Sequence, residues 1–417
     1  MKICVVGLGY IGLPTASILA TRGFDVIGVD TNPTIIDKGN CGKTDIEETG
    51  LSTIVDAAAK SGQLKCQKDV VEADAFIICV PTPITSEKKA DLSYVEAAGR
   101  SIAFKLLTGN LVVLESTVPP GTTNNVLRPI LEESGLIAGK DFHLAYCPER
   151  ILPGNLLNEL IKNGRIIGGI DEDSRAMAKK IYETFVEGNI YLTDSTTAEF
   201  VKLMENATRA VNIALANEFA LVADEIGVNV LEAINLANKH PRIDILHPGA
   251  GVGGHCIPID PWFIVEKSKE ISRLIPLSMK INENMPSYVI SLILEAFSEA
   301  EKEIIGAKIS ILGVAYKGNV NDARESPAVP IIQKLKYVGA KVTIYDPLVT
   351  NFRFEIERDF KKTIFESDAL IILADHRQFK DMNLSVIREM MNEKPILVDG
   401  RNIIDDSDGF IFRGIGR

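Results

Sequence analysis

Tryptophan and cysteine are scarce, with one and six residues in a chain of 417. The cysteines stand at positions 4, 41, 66, 79, 147 and 256, and no two form a C-x-x-C pair. Neither a zinc ribbon nor a disulfide framework is therefore indicated, no metal site is expected, and a reducing compartment is the simpler setting. Long apolar runs are missing as well. None approaches the roughly 20 residues that span a bilayer, and mean hydropathy is only +0.12, so no membrane partner is expected. A strand-like run begins almost at Met1, which leaves no room for a leader and favours the cytoplasm. Positive charge is outweighed, 45 Lys and Arg against 56 Asp and Glu, a net −11. Such a surface repels nucleic acid, and an anionic substrate would need a local cationic pocket.

The remaining composition, 46% hydrophobic and 24% charged, is that of an ordinary globular protein. At roughly 150 residues per domain the length allows two or three domains. The clearest local signal comes first. Lys2–Val6 reads as a buried strand and leads into Gly7, Gly9 and Gly12 at G-x-G-x-x-G spacing. A helix to Thr21 follows, then a strand Asp25–Val29 closed by Asp30. Gly7 permits a tight turn, Gly9 lets a pyrophosphate approach bare backbone, and Gly12 allows close helix–strand packing. Asp30 can accept hydrogen bonds from an adenine ribose and would repel a 2′-phosphate, so NAD is expected rather than NADP.

The same architecture recurs near the C-terminus. Lys308–Leu312 is a strand, a helix runs from about Pro327 to Tyr337, and Lys341–Tyr345 is a strand closed by Asp346-Pro347. EADAFIICVPT at 72–82 resembles ESDALIILADH at 366–376. The second copy lacks the three-glycine spacing. Its loop carries Lys317 and Arg324 instead, cations suited to another phosphate group at the carboxyl end of a strand. Between the modules, Thr196–Ile226 is almost uninterrupted helix former, with Thr196 and Glu199 read as a capping box and Gly227 as terminator. Seven alanines on this helix suggest close neighbours, including a second subunit. Lys202, Asn206 and Arg209 share one stripe, which could face water or a site. The expected fold is thus α/β, two Rossmann-like doubly wound domains at 1–194 and 301–417, joined by a long helix and a helical middle domain at 195–300.

Chemistry concentrates around Cys256 in HPGAGVGGHCIPIDPW, where glycines at 249, 251, 253 and 254 strip away side chains. Converging backbone N–H groups or a nearby lysine would lower a thiol's pKa from roughly 8.5, and a thiolate can add to an aldehyde, lose hydride and leave a thioester. Cys147, in CPER, is the rival, and Glu149 beside it is a candidate acid or base. Thr117, in ESTVPPGTT, sits where a cofactor-facing hydroxyl belongs.

Taken in order, GLGYIGLPTA, CVPTP, ESTVPPGTT, CPER, KLMENA, PGAGVGGHCIPIDPW and YKGNVNDARESP resemble the UDP-glucose/GDP-mannose dehydrogenase family across nearly the whole chain. The resemblance implies an enzyme of polysaccharide biosynthesis that oxidises a UDP-sugar's primary alcohol to a carboxylate with two NAD. It implies Cys256 as nucleophile, Lys202 and Asn206 stabilising oxyanion charge, and Asp260, Glu149 and Thr117 handling protons and water. Gly7, Gly9, Tyr10, Ile11, Gly12, Asp30, Pro81, Thr82, Thr117 and Arg324 would meet the cofactor. Arg150, Arg209, Arg242, His247, Gly249, Gly253, Tyr316 and Lys317, with Glu149, Lys202 and Asn206, would hold the nucleotide sugar. Arg324 is also placed near that sugar, and Arg242 is expected to reach across a homodimer or a higher homo-oligomer. Within the family the stretch HPRIDILHPGAGVGGHCIPIDPWFIV is most similar to enzymes of UDP-N-acetyl-D-mannosamine, and Ile259, where UDP-glucose enzymes carry lysine, with His255 departs from the UDP-glucose pattern; UDP-N-acetylglucosamine and UDP-glucose are the competing sugars. Two other readings are a hydroxy-acid dehydrogenase using a lysine base and a non-catalytic NAD sensor.

Overall fold

The computed structural model describes residues 1–151, 153–405, 407 and 409–417. They divide into two compact units, Met1–Glu205 with Trp262–Ile271, and Asn206–Pro261 with Ser272–Arg417.

The first unit is built on eight strands: β1 Lys2–Val6, β2 Asp25–Val29, β3 Leu64–Gln67, β4 Ala75–Ile78, β5 Leu111–Leu114, β6 His143–Tyr146, β7 Arg165–Gly169 and β8 Ile190–Asp194. Their order is β3-β2-β1-β4-β5-β6-β7-β8, and among the described pairs only β6–β7 runs antiparallel. Because successive side chains point to opposite faces, each central strand feeds two cores. Ile3, Val5, Ile77 and Val113 belong to one cluster, while Cys4, Val6, Phe76, Ile78 and Val112 belong to the other. Burial on both faces explains why these strands read as continuous apolar runs.

The second unit holds five parallel strands, β9 Lys308–Leu312, β10 Lys341–Tyr345, β11 Ala369–Ile372, β12 Ile396–Asp399 and β13 Ile411–Gly414, in the order β10-β9-β11-β12-β13. β9 lies between β10 and β11 as β1 lies between β2 and β4, and the segments that resemble one another, Ala75–Ile78 and Ala369–Ile372, occupy equivalent places. Two Rossmann-like domains are therefore present, with a helical region between them in sequence.

The helix Ser195–Ile226 spans 32 residues, and all seven alanines singled out on it are buried. Its start differs from the expectation. Asp194 caps it, accepting from Thr197 N at 2.9 Å and from Thr197 Oγ1 at 2.6 Å. Glu199 makes no capping box with Thr196. Its carboxylate is fully buried and instead accepts from Thr123 N and Thr123 Oγ1, at 2.7 and 2.6 Å.

Asp346, after β10, shows how a buried carboxylate is kept ionised. Its Oδ2 accepts from Val314 N and Ala315 N, and its Oδ1 from Leu348 N and Val349 N. His376 Nδ1 accepts from Asn319 N at 3.0 Å, which leaves the ring proton on Nε2, 3.2 Å from Asp346 Oδ2. Burial alone would raise the Asp346 pKa, but His376 and the backbone donors bring it down to about 2.

Two predictions follow from this packing. A methyl group at Gly12 would lie 1.8 Å from the Gly7 carbonyl oxygen, whereas one at Gly9 meets nothing within 4 Å. Thermal unfolding should show Gly12→Ala destabilised by about 3 kcal/mol or more and Gly9→Ala unchanged. Asp346 is held below its unfolded pKa of about 3.9, so its contribution of roughly 2 kcal/mol is present above that pH and lost as pH falls toward 2. Asp346→Asn should melt lower than the parent at pH 6, with the gap closing in acid.

Candidate active site

In the first unit β1 runs directly into Gly7, held at φ +93°. Leu8 N donates to Asp30 Oδ2 at 2.9 Å and Asn32 N to Asp30 Oδ1 at 2.8 Å, so Asp30 is anchored at the rim with acceptor capacity left. The helix Gly12–Thr21 has no side-chain cap, unlike helices begun by Asn32, Asp171 or Asn229. A helix start that no side chain covers, open space at Gly9 and an acid at the next strand's end suit a dinucleotide pyrophosphate and ribose. The residues present fit NAD. Tyr10 is tied through its hydroxyl to Glu48, whose carboxylate also accepts from Gly154 N and Leu156 N.

The loops after β4 and β5 are laced together. Thr82 Oγ1 donates to the Thr117 carbonyl at 2.6 Å, and Ser116 Oγ to that of Val80 at 2.7 Å. Thr82 is buried, whereas Pro81 is exposed and Thr117 and Ile11 are half-buried. Further along that loop, Glu199 fastens Gly121 and Thr123. Burial raises its pKa against the pull of these donors.

Glu149 and Lys202 meet. Lys202 Nζ lies 3.0 Å from Glu149 Oε1, with both side chains almost wholly buried, while Glu149 Oε2 accepts from Ile151 N. Arg150 pairs with Glu205, Nε to Oε2 at 3.2 Å.

The cysteines separate sharply. Burial pushes the Cys4 and Cys66 thiols up to about 11 and Cys147 to about 12, and it raises Cys79 well above the ordinary thiol value. Cys147 is thus no thiolate near neutral pH, which removes the rival. Cys41 is exposed at a helix end, and Cys256 is half-buried.

The second unit explains the glycines around Cys256. A Cβ at Gly253 would lie 2.6 Å from the Glu325 carbonyl oxygen and 2.8 Å from Tyr316 Cβ. One at Gly254, where φ is +89°, would strike the Tyr316 ring, and Gly254 N donates to the Arg324 carbonyl at 2.9 Å. The loop is therefore pressed onto the 316–325 segment, and only glycine fits the seam. From Cys256 the chain turns into the helix Asp260–Lys267, with the Cys256 carbonyl accepting from Asp260 N at 2.8 Å. Asp260 in turn accepts from Asn206 Nδ2 at 2.6 Å. Arg324 is held by Asp322, Nε to Oδ1 at 3.0 Å. That hydrogen bond raises the Arg324 pKa despite burial, and Cys256 lies within reach of its charge.

Of the other candidates in this unit, Tyr316 and Lys317 are half-buried in the β9 loop and Gly249 is buried, whereas Arg209, Arg242 and His247 are exposed. Sequence reasoning missed the supports behind the cysteine loop. Asn217 Oδ1 accepts from Gly249 N at 2.9 Å, Asn217 Nδ2 donates to Asn282, and Asn282 Nδ2 donates to the Ala210 carbonyl. Arg401 lies against Gly249, pairs with Asp375 at 3.0 Å, and keeps a buried Nε without a hydrogen-bond partner. DGRN at the end of β12 was the available signal, an arginine at the same sheet edge as Lys317.

Comparison with known proteins bears on all three regions of the sequence. Residues 1–186 match the NAD binding domain of the UDP-glucose/GDP-mannose dehydrogenase family, 196–284 its central domain and 310–406 its UDP binding domain. The UDP-N-acetyl-D-mannosamine dehydrogenase of Methanocaldococcus jannaschii is 49% identical, over 98% of this chain and 95% of its own. An NDP-N-acetyl-D-galactosaminuronic acid dehydrogenase of Ralstonia nicotianae is 44% identical over 91% of this chain and 92% of its own. Among solved structures, the UDP-D-ManNAc dehydrogenase of Pyrococcus horikoshii superposes with a TM-score of 0.96 at 45% identity, covering 100% of this chain and 99% of that one. Glycine loop, strand-end acid and glycine-seated cysteine thus stand in a chain that belongs, over nearly all its length, to the UDP-glucose/GDP-mannose dehydrogenases, the NAD-dependent oxidoreductases of nucleotide sugars.

Proposed function

We propose that the chain oxidises the primary alcohol of UDP-N-acetyl-D-mannosamine to a carboxylate, giving UDP-N-acetyl-D-mannosaminuronate. The observation that carries the chemistry is the seat of Cys256, a half-buried thiol that follows a glycine seam, while Cys4, Cys66, Cys79 and Cys147 are pushed up by burial. The sugar rests on the relatives named for it and on GGHCIPID, with Ile259 in place of the lysine of UDP-glucose enzymes.

NAD, when bound, takes up a hydride from the sugar carbon in each of two rounds. The chain's own residues handle the rest. A carboxylate, Glu149 or Asp260, receives the alcohol proton as the first hydride leaves. The Cys256 thiolate adds to the aldehyde carbon, and the resulting thiohemiacetal keeps the aldehyde from escaping. Lys202 and Asn206 donate to the oxygen on which charge develops. Loss of the second hydride leaves a thioester, and a water held by Thr117 and deprotonated by a carboxylate cleaves it. Hydrolysis releases the carboxylate and the thiol, which makes the sequence irreversible.

The phosphates call for cations, and Lys317, Arg324 and Arg401 stand in strand-end loops of the second unit. Arg150, Arg209, Arg242 and His247 are proposed around the nucleotide sugar, as the family resemblance implies. A homodimer through the long helix is also proposed. Its support is the exposed apolar row Leu215, Phe219, Val222 and Ile226, spaced for one helix face.

The relative named for an N-acetylgalactosaminuronic acid favours a second reading in which another N-acetylated sugar is preferred. Purified protein with NAD and a panel of UDP-sugars decides between them by NADH absorbance. UDP-N-acetyl-D-mannosamine should give the highest kcat/KM and two NADH per sugar; another sugar winning overturns the assignment. Cys256→Ser should lose acid formation, and Lys202→Ala should lower kcat by about 10²–10³. Turnover left intact by Cys256→Ser would support a lysine-base dehydrogenase, and silence with every sugar an NAD sensor.

A further inference from the structure

Arg165 opens β7 in the first unit, and we propose it as the positioning residue of the loop that carries Glu149, an inference that rests on the proton-handling role proposed for Glu149. Its side chain is 2% exposed, and Nη1 donates to the Pro148 carbonyl at 3.2 Å. The residues beside it grip the same loop. Asn163 Nδ2 donates to the Arg150 carbonyl at 2.7 Å, and Arg150 Nη1 donates back to the Gly164 carbonyl at 3.1 Å. The carbonyls on both sides of Glu149 are therefore held from one direction. The Glu149 side chain is left to turn toward Lys202 Nζ at 3.0 Å.

A neutral donor would suffice to hold one carbonyl, yet this chain buries a guanidinium for the task. The charge is balanced by Glu115, whose Oε1 lies 3.9 Å from Nη1 and whose side chain is fully buried. Glu115 also accepts from Tyr182 Oη at 2.9 Å and from the Cys79 thiol at 3.1 Å. Ile78, Leu114 and Tyr146 are paired in register at the ends of β4, β5 and β6, so Cys79, Glu115 and Cys147 form one row along the sheet's carboxyl edge. Cys79 is also the floor of the glycine loop. A Cβ at Gly7 would lie 2.6 Å from its carbonyl oxygen, and one at Gly12 3.1 Å from its Cβ. One buried pair thus spans from beneath the glycine loop to the loop of Glu149. Arg165 acts through Glu149 and touches no reacting atom.

Removing both charges together, in Arg165→Met/Glu115→Gln, leaves neither unpaired in the interior. Steady-state kinetics with the best UDP-sugar of the panel should show kcat down about 10²-fold, with the NAD KM within about twofold and a shifted pH profile. In a Glu149→Gln background the same change should cost less than about threefold, because its effect passes through that carboxylate. Arg165→Lys, which keeps the charge and one donor, should recover most of the rate, and Arg165→Gln, alone and with Glu149→Gln, carries the same comparison if the double variant does not fold. Full kcat in the folded double variant, or in Arg165→Gln in its place, or losses that simply multiply with that of Glu149→Gln, overturns the inference. If Glu149→Gln itself turns over normally, the role given to Glu149 fails and the inference falls with it. If Glu149→Gln is inactive while the double variant, or Arg165→Gln in its place, is normal, the inference alone fails.

Discussion

Both working loops of this chain rest on backbone laid against its neighbour where no side chain fits. At Gly12 the first helix touches the Gly7 carbonyl, and at Gly253 and Gly254 the cysteine loop lies on Tyr316 and Glu325. Close seams of this kind fix a loop without filling the space a ligand needs. One seam suits a pyrophosphate. The other presents a thiol ahead of a new helix, with the Cys256 carbonyl already bonded to Asp260 N.

Around these seams the chain places buried polar groups whose partners are far away in sequence. Glu199 holds the loop that follows Thr117, Arg165 the loop of Glu149, and Asn217 with Asn282 the start of the cysteine loop. Each is a costly group to bury; Glu199, Asn217 and Asn282 are held by hydrogen bonds, whereas Arg165 keeps a buried Nη2 without a hydrogen-bond partner and is balanced by Glu115. Asp346 is the extreme case, saturated by four backbone donors and His376. It stands where Asp30 stands in the first module, but its oxygens are spent on its own loops. A ribose has little left to bind there, which agrees with the missing three-glycine spacing of the second copy.

The sequence made the parallel strands legible because burial on both faces yields short continuous apolar runs, and Lys2–Val6, Asp25–Val29, Lys308–Leu312 and Lys341–Tyr345 fall at the expected bounds. Glycine spacing marked both loops for the same kind of reason, since a side chain is excluded there by contact. What could not be read is what depends on tertiary partners. Thr196 and Glu199 have the spacing of a capping box, yet the helix starts earlier, capped by Asp194 through Thr197 N, and Glu199 finds Thr123 76 residues away. Arg165 and Glu115 lie in strand-edge segments where a charge looks like an ordinary terminus. Nothing local tells that the two meet.

The claim on which the chemistry hangs is a covalent bond between Cys256 and the sugar carbon. Rapid quench of the enzyme with UDP-N-acetyl-D-mannosamine and NAD, followed by peptide mass analysis, tests it directly. The account predicts an acyl adduct of the sugar's mass on the peptide containing Cys256, absent without NAD. A steady turnover in which that peptide never gains mass, or in which Cys41 or Cys147 gains it instead, would contradict the account.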